Sequence, residues 1–153
     1  MIKGTTKQKL YLDVCTLSRP FDDQSMMRIR LETDAFYLIF QNIKNKKYDM
    51  VASPVHIKEI EAIEDLRERS ELITLLNKFG VKPSCNLQKV RERAEYLFSL
   101  KFGAADAAHL AFAEETSDIF ITCDDRFLRK CKRIKVKLLA LSPVEFCLME
   151  NLR

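Results

Sequence analysis

The chain has 153 residues, 47% of them hydrophobic, with only 3 Gly and 4 Pro, a makeup that supports a packed core and excludes a disordered tail protein. Its 26 Lys and Arg against 22 Asp and Glu leave a mild excess of +4 at neutral pH. Gly4, Gly80 and Gly103 are too scattered to build a glycine-rich phosphate loop, which removes the Walker and dinucleotide-binding classes.

In chain order, residues 10–12 form a short apolar run that ends at Asp13 and reads as a buried first strand. Residues 15–24 contain Pro20, Asp22 and Asp23 and read as a turn-rich connection, after which Ser25 is placed to cap a helix to about residue 45. Residues 49–53 read as a second strand. Pro54 suits the first turn of a helix to about residue 62, and a further helix over 66–79 is closed by Gly80 as its C-terminal cap. Residues 87–100 and 104–115 are helical, the second so poor in polar residues that it reads as an interior helix. Residues 118–122 and 136–141 are apolar strands on either side of a basic helix over 125–133, and Pro143 opens a terminal helix.

Strands alternating with helices imply crossover connections, hence an α/β fold with a mostly parallel central sheet flanked by helices, in a single domain over 1–153. Cys15, Cys85, Cys123, Cys131 and Cys147 are odd in number and contain no C-x-x-C pair, which predicts a reducing compartment. The first residues are polar and basic, and no apolar run approaches the roughly 20 residues of a membrane span. The expectation is a cytoplasmic protein with no membrane partner.

Ligands of open parallel sheets gather beyond the carboxyl ends of the strands, and two aspartates fall there. Asp13 follows the first strand and Asp124 follows residues 119–123; each also suits a cap on the turn or helix after it. Glu59 shares a helix row with Val55 and Ile63, either as a boundary residue whose stem packs on the core or as a site carboxylate. Asp106 is the strongest single signal, lying in Gly103-Ala-Ala-Asp-Ala-Ala-His-Leu-Ala-Phe-Ala113 and in one row with Leu110. An aspartate in so apolar a helix is paired or cation-bound, unless it serves only the positive end of the helix dipole. If the four converge, their repulsion is tolerable only with protons or a divalent cation between them. Oxygen donors select Mg2+ or Mn2+ over zinc, and such a site suits nuclease or phosphatase chemistry.

Tyr-Leu-Asp13, Ile-Lys-Glu59-Ile, Ala-Asp106-Ala-Ala-His-Leu-Ala and Thr122-Cys-Asp124-Asp-Arg-Phe127, in that order and over essentially the whole chain, resemble the PIN-domain family, many of whose members are ribonuclease toxins of the VapC type. The resemblance implies a three-layer α/β/α fold and cleavage of single-stranded or looped RNA. It implies a quartet of Asp13, Glu59, Asp106 and Asp124 binding Mg2+ or Mn2+, with Asp125 the second choice at the place of Asp124. Thr122 would be the hydroxyl residue that supports the quartet on the substrate side. The same resemblance adds an antitoxin protein and a homodimer as expected partners. Two stretches depart from the family: Asp13 is followed by Val-Cys where many members carry a small hydroxyl residue, and residues 17–24 resemble only a subset.

Residues 126–137 hold Arg126, Arg129, Lys130, Lys132, Arg133, Lys135 and Lys137 with no acid. The run is either a solvated face with a lysine-guarded edge strand or a seat for an RNA backbone, with Arg126, Arg129 and Lys130 as substrate contacts. His109, one turn beyond Asp106, reads as a core histidine and His56 as exposed. Arg19 reads as a salt-bridge residue, Asp22 and Asp23 as turn acids, and the cysteines as chemically silent. A haloacid-dehalogenase-type phosphatase needs a second Asp where Cys15 stands, and a receiver module needs an acidic pair where Asp13 stands alone. A PIN fold that binds RNA or docks a protein without cleavage stays compatible with the sequence.

Overall fold

The computed structural model describes residues 7–153, so the N-terminal segment 1–6, with Gly4, lies outside the described residues. Five strands, β1 (Gln8–Leu12), β2 (Tyr48–Val51), β3 (Gly80–Val81), β4 (Ile119–Ile121) and β5 (Leu139–Leu141), pair in parallel throughout, in the order β3-β2-β1-β4-β5. Between them run the helices α1 (Val14–Ser18), α2 (Met27–Lys44), α3 (Pro54–Glu61), α4 (Leu66–Phe79), α5 (Leu87–Ser99), α6 (Ala104–Thr116), α7 (Asp125–Ile134) and α8 (Pro143–Met149). No helix among the described residues is long and apolar enough to cross a membrane.

The period of two along each strand divides the core into two layers. Leu10 and Leu12 of β1, Met50 of β2 and Ile119 and Ile121 of β4 face one cluster, completed by Phe36 and Ile39 of α2, Ile60 of α3, Leu72 and Leu76 of α4 and Phe146 of α8. Tyr11, Val51, Phe120 and Ala140 face the other, against Val90 and Leu97 of α5, Leu110 and Ala111 of α6 and Phe127 of α7. Helices therefore cover both faces, in the three layers expected. The alanines of α6 combine high helix propensity with small volume, and Ala107, Ala111 and Ala113 are all buried.

Several boundaries differ from expectation. Residues 15–24 are not all turn: Asp13 caps the short α1, and Arg19–Phe21 forms a 3-10 turn around Pro20. Ser25 does not cap α2, because its N–H and hydroxyl both donate to Asp23, and the helix starts at Met27. Gly80 follows α4 in extended rather than left-handed backbone and opens the unforeseen edge strand β3. The last strand is confined to Leu139–Leu141, since Lys135 turns left-handed at φ 53° to end α7. His56, expected at the surface, is fully buried.

Candidate active site

The chain leaves β1 toward the α1/α2 layer and leaves the neighbouring β4 toward α7 in the other layer. This is the switch point of the sheet, where strand-end groups face a common crevice. Asp13 stands there on β1, buried at 5% exposure. Its Oδ1 accepts from the backbone N–H of Thr16 at 3.1 Å and from the Thr16 hydroxyl at 2.8 Å, so it does cap α1. The Cys15 thiol lies 3.1 Å from both carboxylate oxygens, and the Thr122 hydroxyl donates to Oδ2 at 2.5 Å. Burial raises the Asp13 carboxyl above its usual range, against these donors, because none of them carries a positive charge.

Thr122 links Asp13 to the second strand end. Its hydroxyl oxygen accepts the Asp124 N–H at 3.0 Å while its proton goes to Asp13. Thr122 is 1% exposed and its hydroxyl bonds both aspartates, so it supports them from within. Asp124 is exposed and caps α7, with Oδ1 accepting from Arg126 N–H at 3.0 Å and Phe127 N–H at 3.2 Å. The capping role and the strand-end position thus coexist in both acids.

Asp106, in the first turn of α6, is half-buried with no hydrogen bond or ion pair to another described residue. Burial first, then the charges of Asp124 and Asp13, push its carboxyl up to about 6, with a smaller contribution from Glu59 and an opposing one from His109. The other three acids of the expected quartet thus each act on Asp106. Glu59, on α3, keeps 42% of its side chain exposed, and its Oε2 is 2.5 Å from Nε2 of His109. Among the described residues, no three His, Cys, Asp or Glu side chains are grouped so as to hold a metal ion as they stand.

Asp125 is placed differently. Arg28 grips it with two hydrogen bonds of 2.7 and 2.6 Å, which hold its carboxyl below the usual range. That pairing ties Asp125 to α2, in contrast to Asp124, which forms no ion pair among the described residues. Arg28 and Arg19 converge on the buried Glu32, and Arg19 also binds Asp22, as expected of a salt-bridge residue. In the basic run, Arg126 and Arg129 are exposed, whereas Lys130 is partly buried and donates to the Lys101 carbonyl at 2.6 Å. Lys130 is thereby tied to the fold.

The sequence reading missed the polar residues under the site: Tyr11, Ser53 and His56. Their trace in the sequence was Ser53-Pro54-Val55-His56, where Ser53 caps α3 and His56 returns the bond to the Ser53 N–H.

No family model and no curated protein matches this chain. Among solved structures it is similar to the crystal structure of FitAcB from Neisseria gonorrhoeae, with a TM-score of 0.52 at 15% identity, covering 88% of this chain and 97% of that one. The fold is a PIN-like three-layer α/β/α fold. At this identity the likeness is one of fold, and the chemistry rests on this chain's own residues. On this fold the four acids occupy the carboxyl side of the sheet, drawn from β1, α3, α6 and the β4 end.

Proposed function

We propose that this chain is a metal-dependent endoribonuclease that hydrolyses RNA phosphodiester bonds, with Asp13, Glu59, Asp106 and Asp124 as the holders of Mg2+ or Mn2+. The observation that carries the reading is electrostatic. Asp106 is raised to about 6 by burial and by Asp124 and Asp13, and no lysine or arginine among the described residues forms an ion pair with any of those three acids. Elsewhere in the molecule buried acids are neutralised, as Glu32 is by Arg19 and Glu114 by Arg93. An all-oxygen set left without a cation fits a hard divalent ion.

Such an ion supplies Lewis-acid stabilisation of the phosphodiester and an acidified water at neutral pH. Asp13 is oriented by Thr16, Thr122 and Cys15; hydrogen bonding with Cys123, then burial and the charge of Asp13, push the Cys15 thiol far up, so it remains a protonated donor. Glu59 helps line an open groove of about 480 Å³ with Pro54, Val55, Lys58, Ala104, Ala105 and Ala108, where small side chains leave room for a strand. Arg126 and Arg129 would bind its phosphates. In the same reading the protein is a cytoplasmic toxin of a type II toxin–antitoxin pair, restrained by an antitoxin protein and assembled as a homodimer.

The test is cleavage of single-stranded and structured RNA with Mn2+, Mg2+ or chelator. The wild type is expected to cut only with metal, and Asp106→Asn to lose at least about a hundredfold in kcat. Equal cleavage in chelator or in the variant would sink the mechanism, and an intact protein that binds RNA without cutting it would favour the docking module.

A further inference from the structure

Behind Glu59 lies a continuous chain of buried hydrogen bonds that the four acids do not require. Nε2 of His109 meets Glu59 Oε2, and Nδ1 of His109 lies 2.6 Å from the Tyr11 hydroxyl. The Tyr11 hydroxyl lies 2.7 Å from Ser53 Oγ. The members come from three parts of the fold: Glu59 from α3 and Ser53 from its N-cap, His109 from α6 and Tyr11 from β1. Tyr11 has no exposed surface and His109 is 2% exposed.

The proton positions follow from the acceptors. A Glu59 carboxylate can only accept, so His109 Nε2 carries a hydrogen and Nδ1 is free to accept the Tyr11 proton. The Tyr11 oxygen then accepts from Ser53, whose own oxygen accepts the His56 N–H at 3.3 Å. The Ser53 N–H donates to His56 Nδ1 at 3.0 Å, which leaves His56 Nε2–H to donate to the Leu12 carbonyl at 2.7 Å. The chain thus ends on the backbone of β1, one residue before Asp13. Tyr11 also stacks on His56 with ring centroids 4.4 Å apart and meets His109 edge-on at 5.6 Å, so neither imidazole can turn without disturbing Tyr11.

We propose that His109, locked by Tyr11 and Ser53, is a positioning residue that fixes the Glu59 carboxylate through Oε2 and leaves Oε1 for a divalent cation. The inference rests on reading Glu59 as a cation holder. A free glutamate on a helix surface samples many rotamers, and immobilising it beforehand removes that entropy from the binding step. His109 does not touch the cation or the RNA. It sits three residues beyond Asp106 on the same helix, so α6 delivers one acid and steadies another.

The experiment uses the full chain and Mn2+ as the probe. His109→Leu is expected to weaken Mn2+ binding by about 10- to 100-fold, the usual loss on removing the partner of a ligand, with binding of a non-cleavable RNA in chelator unchanged. His109→Gln, whose amide can replace Nε2–H, is expected to restore most of the Mn2+ affinity, and Tyr11→Phe to weaken it without adding to His109→Leu. In the metal-free wild type, the ring N–H proton of His109 is expected as a slowly exchanging downfield NMR signal that Glu59→Ala abolishes while the His56 signal persists. Unchanged Mn2+ affinity in a folded His109→Leu, or a His109 signal indifferent to Glu59→Ala, would overturn the proposal. A wild type that binds no Mn2+ would overturn the nuclease reading, and the NMR result would still decide whether His109 holds Glu59.

Discussion

His56 and Asp106 pull the stability of the molecule in opposite directions as pH changes. Burial, aided by His109, draws the His56 imidazole down from 6.5 to about 3. Below 6.5 the unfolded chain binds a proton there that the folded one refuses, so this group's contribution is lost on acidification, at up to about 1.4 kcal/mol per pH unit. Asp106 is raised from 3.8 to about 6, so between those values the folded state holds the extra proton and stability is lost as pH rises through 6. Because the carboxyl is half-exposed and solvent-screened, its cost at neutral pH is roughly 1 kcal/mol. Metal-free Asp106→Asn is therefore expected to be more stable than wild type by about that amount near pH 7, and to lose the advantage below pH 6, where His56 acts unopposed in the variant. Urea unfolding across this range measures both slopes, and parallel profiles would count against the raised Asp106 carboxyl.

Among the secondary elements, the α4–β3 junction is the tightest test of packing. A Cβ on Gly80 would stand 2.5 Å from the Leu76 carbonyl oxygen and 2.7 Å from Ala52 Cβ. Gly80→Ala is expected to cost about 1–3 kcal/mol in denaturant unfolding, through overpacking rather than backbone strain, since φ is −75°. The left-handed positions fall to other residues, among them Lys46 with φ 64° after α2. Lys46→Gly is expected to raise stability by up to about 1 kcal/mol in the same assay. These junctions also mark where the sequence was opaque. Short apolar runs and the prolines at 54 and 143 announced β1, β2, β4, α3 and α8, because periodicity and capping are local. A two-residue strand such as β3 has no period to read, and it is defined by its pairing with β2, Met50 opposite Gly80 and Val51 opposite Val81, extended by Ala52 N–H donating to the Val81 carbonyl. The acids were legible from strand-end position and apolar context. The different surroundings of Asp124 and Asp125 were not, since Asp125 pairs with Arg28, 97 residues away in sequence.

Across the whole molecule the net +4 separates into opposed regions: acids at the switch point of the sheet and a basic face on α7 beside them. An RNA strand approaching the acids would be repelled unless cations, protein-borne or bound, neutralise its phosphates. The residues of α7 are not equivalent in this respect. Arg126 and Arg129 are exposed, whereas Lys130 binds the Lys101 carbonyl and lies 5.5 Å from the Phe102 ring centre, and Lys132 pairs with Glu145. Each phosphate neutralised on a single strand contributes about 0.7 to the slope of log affinity against log salt. Arg126→Ala combined with Arg129→Ala is expected to reduce that slope by about 1.4 and to weaken RNA binding at low salt, with the melting temperature unchanged. Lys130→Ala is expected to do the reverse, lowering the melting temperature while leaving the slope nearly intact. Binding isotherms of a non-cleavable RNA at several salt concentrations, beside thermal melts, separate the two. A slope loss on Lys130→Ala equal to that of the arginines would mean that its bond to Lys101 gives way when RNA arrives.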